Sequence, residues 1–561
     1  MTQRANRALR FVLLFYGALS AVLYTGLLPL WDGFDEPFHY GYVRQLSRLH
    51  TLPVHGRAVL SEEIVRSLDL VPTTYVVRGN IWHGIVFDDY VRLSGDERRG
   101  LRRRLESIDP ASAAVDGQFL NYEAHQAPLA YAVLAPFDVL WAGLPLPARI
   151  LRLRLLGALL SVLFIWIATF RLGGLLGVSP TVPLSVTFVV FSSQMFYGSV
   201  CHIANDWLAI PLFTLVLCET VALHLSPRAW QASRLALALG AGLLTKAYFL
   251  AAVPLAMGVT VVWWVRDRRT AKDHHPLRRW MALVPLAGAA PWYMRNLALY
   301  RNLSGMQETL GGTHTAQLAR AALHVPWAAA ALATARTSLW TGNNSLVALS
   351  WNTTRVMLLL LLASACTYLV RVARGRATAA ERVLAVGIVC FGSALVYSAV
   401  LTFWSTNGAG FSPAPWYVQV LLAPGFCLLF IGLSCTGPVG RFLHVAIVGV
   451  WAYVIAVTYA VKLLPFYAGF TAGTAHLSDL PHWYTLLSRG SYGSLDTAAL
   501  LSPRLLLPLI AAAITLAGTL AIALSALSSF PPAISGELQV HDESQPRRRL
   551  GSSPAATTLT S

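Results

Sequence analysis

Residues 11–40 read FVLLFYGALSAVLYTGLLPLWDGFDEPFHY. The first two thirds of this stretch pass without a charge and are long enough to cross a bilayer as a helix. The last third follows at once with two adjacent carboxylates, Asp35 and Glu36. These acids therefore stand at a membrane surface, where a carboxylate loses hydration and needs a cationic partner or a chemical task.

The rest of the chain has the same texture. Its 561 residues are 55% hydrophobic and only 12% charged, about half the charge of a soluble protein. Apolar segments recur near 9–30, 128–146, 153–176, 182–199, 205–225, 235–265, 280–297, 355–372, 383–404, 416–434, 441–463 and 504–529. The runs are continuous rather than alternating, which excludes a membrane β-barrel. The expectation is an all-α polytopic membrane protein of about twelve helices, between eleven and thirteen. The run 235–265 is too long for one upright helix and must tilt strongly or break, near Lys246 or Pro254.

The net charge is +17. Its arginines cluster between apolar runs, where they set orientation, so no nucleic-acid partner is implied. With the N-terminus cytoplasmic, twelve crossings place Arg266–Arg279, Arg371–Arg382 and the tail containing Arg547–Arg549 inside. Segments 31–127, 298–354 and 464–503 then lie outside, and both termini lie in the cytoplasm. Three stretches are expected: a transmembrane module over 1–300 with the external loop 31–127, further transmembrane helices with external loops over 301–530, and a disordered cytoplasmic tail over 531–561. The six cysteines lie in or beside apolar segments without C-x-x-C spacing and read as buried small side chains.

Within the first external loop, Pro37–Leu49 suits a helix with Pro37 near its start. Phe38, Tyr42, Leu46 and Leu49 recur at helical spacing, so this helix is expected along the membrane surface, as is a second one near 94–107. His39 falls one turn after Asp35 and Glu36. One reading of these acids is helix capping; the other is a reactive site to which His39 contributes.

Glu123 and His125, in NYEAHQAPLAY (121–131), return to the same surface just before the second apolar run. They could hold one divalent metal ion through oxygen and nitrogen, with Asp88 or Asp89 as a third ligand, or form a hydrogen-bonded loop anchor. Lys246 lies deep in an apolar span and calls for a phosphate or carboxylate partner. Arg295 stands at the end of its helix, as a fork for a lipid phosphate or as an interface marker. Asn205-Asp206 falls on the cytoplasmic side by strict parity and reads as structural. No phosphate-binding glycine loop or nucleophile elbow is present in a strand–helix context.

Four of these segments, in this order, resemble the GT-C superfamily of membrane glycosyltransferases that use polyprenyl-phosphate sugars: FDEPFHY (34–40), EAHQAPL (123–129), LLTK (243–246) and PWYMRN (291–296). The likeness covers about residues 1–300 and is similar in outline to protein O-mannosyltransferases and lipid A aminoarabinose transferase. The chain departs at Ala127, in place of the first proline of a pair, and at His39, where tyrosine is common. The resemblance implies an inverting transferase in the cell's inner membrane, moving a hexose or pentose from a polyprenyl-phosphate donor to an extracytoplasmic glycan, lipid or protein. In it Asp35 acts as general base. Glu36 and His39 orient Asp35 or bind sugar hydroxyls. Lys246, Arg295 or a metal at Glu123 and His125 meet the leaving phosphate. Trp31, Trp82 and Tyr131 offer aromatic faces to a sugar. A transporter or lipid flippase, or a GT-C-like protein without activity, are the alternatives.

Overall fold

The computed structural model describes residues 3–74, 79, 84–109, 115–270, 283–305, 309, 315–342, 347–471 and 477–528. Trp82, the basic stretch within 271–282 and the tail beyond 528 lie outside the described residues. Among the described residues, nine helices are long and apolar enough to cross a membrane, and two shorter apolar helices, Leu129–Leu140 and Thr181–Phe191, join them. This is the expected all-α multi-pass architecture. Strands are confined to two small pairings, of which the antiparallel one joins Val59–Ser61 to Val115–Leu120. Of the cysteines, Cys201, Cys218 and Cys427 are buried, but Cys366 and Cys435 are exposed, contrary to expectation.

The helix expected near 37–49 spans Glu36–Leu49, and most of it is packed inside the protein. Phe38, Tyr40, Tyr42 and Val43 are all buried. The reason is on its second face. Arg44 lies 3.2 Å from Glu63 and 3.4 Å from Asp138. Arg149 pairs with Glu63 and lies 3.5 Å from Asp138. Tyr40 and Ser47 donate to Asp138 at 2.9 and 2.6 Å. Four buried charges thus knot this helix to Glu62–Leu68, Leu129–Leu140 and the start of Leu146–Leu175. The helix expected near 94–107 runs Gly95–Glu106 and opens with a reciprocal Ser94–Glu97 capping box.

The knot corrects the topology. Leu129–Leu140 has 12 residues, about 18 Å at 1.5 Å per residue, too short to cross a bilayer. The long helix Leu146–Leu175 therefore starts at the end of the bundle that holds segment 31–127. Its other end carries Arg171, which meets Glu219 at 2.9 Å, and Glu219 also meets Arg234 at 2.8 Å. That second ionic cluster marks the opposite end. Residues 201–206 consequently return to the first end, not the one that strict parity assigned.

The long run 235–265 does break. Helix Ala229–Leu243 stops, Lys246 is extended, and the chain continues through a tight turn, Ala247–Ala252, into Val253–Thr270. Carbonyls freed by a break in an apolar bundle need donors. The Leu129 N–H donates to the Leu244 carbonyl at 2.8 Å, and the Tyr293 hydroxyl donates to the Leu243 carbonyl at 3.0 Å.

Candidate active site

Two cavities open at this end of the bundle. The first, about 480 Å³, is largely apolar; Tyr248, Trp292, Phe391 and Leu395 are among the residues that line it. The second, about 310 Å³, is largely polar and is bordered by Asp35, His39, Tyr122, His202, Asp206 and Trp416, among others. They share Glu123, Gln126, Lys246, Ser398 and Tyr417.

Asp35 enters the polar cavity because the chain turns sharply before its helix. Its φ is 55° and its side chain makes no capping bond, so the capping reading does not hold. A left-handed aspartate is tolerated better than most residues there, though at some strain. The Tyr122 hydroxyl donates to Asp35 Oδ1. Burial raises the carboxyl above the usual aspartate range, while the Tyr122 bond and the charge of Lys246 pull it back.

Glu36, one residue on, points elsewhere. It is fully buried and paired with Arg154. Arg154 Nε donates to its Oε1 at 2.7 Å, and the Ile203 N–H donates to the same oxygen at 2.8 Å. Arg154 also binds the Leu28 and Pro29 carbonyls. Glu36 does not border either cavity, so the expected catalytic role is corrected to one of holding the turn that carries Asp35.

Lys246 has the carboxylate partner its position demanded, and it is Asp206, at 2.7 and 2.8 Å. Its ammonium also lies 5.4 and 5.1 Å from the rings of Tyr248 and Tyr417. Asp206 was read as structural and remote. The shifted parity brings it into the cavity, and only the intramembrane charge of Lys246 hinted at such a partner.

His39 borders the cavity, with Nδ1 2.7 Å from the Tyr131 hydroxyl and 3.9 Å from Glu123. Burial lowers it well below the usual histidine range, and the charges of His202, Lys246 and His125 add to this. Tyr131 is fully buried and borders neither cavity, so it positions His39 instead of binding a ligand itself. Trp31 is likewise buried, donating to Ser67 at 2.8 Å. Arg295 donates to the Pro53 carbonyl at 2.6 Å and borders neither cavity; its guanidinium ties a loop down, which corrects its assignment to a phosphate.

Glu123 accepts from Gln126 at 2.8 Å, and His125 Nδ1 lies 2.7 Å from the Tyr122 carbonyl. Burial brings His125 down to about 4. Asp89 pairs with Arg92 on the exposed face of the short helix Phe87–Arg92 and adds nothing to the pair. Among the described residues no group of three or more His, Cys, Asp or Glu side chains is placed to hold a metal ion. The bonds that Glu123 and His125 make to Gln126 and Tyr122 are those of a loop anchor.

His202 also borders the polar cavity. No sequence signal marked it, since it stands between two apolar runs without a recognisable motif.

No family model matches the chain, and no curated protein does. Among solved structures it is similar to ArnT from Cupriavidus metallidurans in the apo state, at 14% identity and a TM-score of 0.39 over 83% of this chain and 75% of that one. The same enzyme bound to undecaprenyl phosphate matches at 13% identity and a TM-score of 0.39, over 82% and 76%. The Archaeoglobus fulgidus oligosaccharyltransferase in its apo form matches at 11% identity and 0.35, over 92% of this chain and 56% of that one. At that level of similarity no residue of this chain takes a role from them.

Proposed function

We propose that this protein is an inverting membrane glycosyltransferase that takes a sugar from a polyprenyl-phosphate donor to an acceptor outside the cytoplasm. One observation carries the reading: an apolar cavity and a polar cavity meet at Lys246, with Asp35 across the polar one. A lipid-linked sugar has the same division, a hydrocarbon chain and a hydroxylated ring joined through phosphate. The apolar cavity takes the first isoprene units, the polar cavity takes the sugar, and the phosphate lies at the shared boundary.

In this reading Asp35 accepts the proton of an acceptor hydroxyl. That oxygen forms a bond to the anomeric carbon, and the bond from that carbon to the phosphate oxygen breaks with inversion. The electron pair leaves on the lipid phosphate. Lys246 meets the growing negative charge, a contribution that is greatest in a site shielded from water. The burial that raises Asp35 makes it a stronger base than a solvated aspartate. Tyr122 holds the carboxylate in place, and His39 and Glu123 complete the polar wall.

The test is incubation of the purified full-length protein with polyprenyl-phosphate hexoses and pentoses and a mixed acceptor extract. Consumption of one donor, with release of polyprenyl phosphate and loss of turnover in Asp35→Asn, is the expected result. Full turnover in Asp35→Asn removes Asp35 from the mechanism. Movement of intact lipid across sealed vesicles without covalent product replaces the transferase with a flippase.

A further inference from the structure

His202 is 3% exposed and borders the polar cavity, yet its Nδ1 has no hydrogen-bond partner among the described residues. The neighbouring histidines differ: His39 is engaged by Tyr131 and His125 by the Tyr122 carbonyl. A buried polar atom without a partner is uncommon and asks for a missing ligand or water.

The ring is nonetheless held firmly. A Cβ at Gly33 would fall 2.3 Å from His202 Cβ, so only glycine lets the 31–36 turn lie against it. Phe34 stands edge-on to the imidazole at 6.0 Å and is itself packed on Trp416 at 4.6 Å. The next residue, Ile203, is fastened through its N–H to Glu36. The turn that presents Asp35 thus also clamps His202, and the two residues border one cavity on a single support. Burial lowers the ring below the usual histidine range, against the pull of Glu36 and Asp206 and with that of Arg154 and Lys246. A neutral imidazole offers one N–H and one lone pair, which suits a hydroxyl group better than a formal charge.

We infer that His202 binds a hydroxyl of the transferred sugar and so helps set which donor is accepted. This role rests on the donor reading given above, and the experiment separates the two. The full-length protein in detergent is melted with polyprenyl phosphate alone and with polyprenyl-phosphate glucose, mannose, galactose and arabinose. In the wild type, the sugar-bearing lipid that fits raises the melting temperature beyond polyprenyl phosphate alone. His202→Phe keeps the ring packing and the response to polyprenyl phosphate but loses the extra response to the sugar, with donor affinity about tenfold weaker. His202→Gln, which restores a donor and an acceptor, recovers part of it. Retention of the full sugar response in His202→Phe overturns the inference. So does loss of the polyprenyl-phosphate response in both variants, which makes the residue structural. A wild type that responds to no sugar beyond the bare lipid phosphate overturns the donor reading itself and this role with it.

Discussion

Two ionic groups stand within one end of this bundle and behave as opposites. In the knot of Arg44, Glu63, Asp138 and Arg149, extended by the pair Glu36–Arg154, cations and carboxylates are closely matched and enclosed in protein. In the cavity, Asp35, Glu123 and Asp206 face one another across open space with Lys246 as the cation among them. The first arrangement spends its charges on each other and holds helices in register. The second holds its charges at the edge of a space able to admit a ligand. Asp35 and Glu36 are adjacent in sequence and fall on either side of this divide, so a carboxylate's neighbours in space, and not its place in a motif, decide what it can do.

Substitutions can break that contrast. The largest effect is expected at the closed group. Glu36→Gln leaves Arg154 buried without its counter-charge, which costs about 3–5 kcal/mol and shows as loss of folded protein by size exclusion and melting in detergent. A normally melting Glu36→Gln that loses only turnover would move Glu36 into the catalytic group. Asp35→Asn is expected to do the reverse. Transfer falls about 10²- to 10⁴-fold, while the melting temperature holds or rises. Its folded-state pKa is raised by burial, so ionisation of Asp35 works against folding, and asparagine tolerates the left-handed backbone well.

A smaller effect is expected at the boundary of the two cavities. Lys246→Met lowers turnover about 10²- to 10³-fold through the leaving phosphate and also destabilises, because Asp206 is stranded. The double variant Lys246→Met, Asp206→Asn recovers melting but not turnover, and recovery of both would assign the lysine a purely structural task. The smallest and most diagnostic change is in the pH profile. In the proposed reaction the Asp35 carboxylate is the base, so the rate is expected to fall as pH drops through its raised pKa, above the range of an ordinary aspartate. Tyr122→Phe removes a bond that lowers that pKa, so the acid limb moves to still higher pH. An unmoved limb would show that another group controls it.

The helical, multi-pass character was legible because bilayer length leaves a direct imprint on composition, as in 11–30 and 504–529. The break near Lys246 was legible too, since the run 235–265 is too long for one upright helix. Topology was not. The apolar run near 128–146 reads as a crossing, although its helical part is 12 residues, and 235–265 reads as one crossing although it turns back. The two departures shift the parity of what lies between them, including His202 and Asp206. Arg295 and Tyr131 were misassigned for a different reason: their residue types suit ligands, but their partners, Pro53 and His39, are remote in sequence and carry no local pattern.

The bond from the Leu129 amide to the Leu244 carbonyl has a lasting consequence. It fastens the turn bearing Glu123 to the bend bearing Lys246 through main-chain atoms alone. Side chains on both segments can therefore drift over evolutionary time while the joint persists under almost any residue. Proline at 129 is the exception, because it alone lacks the hydrogen that makes the joint.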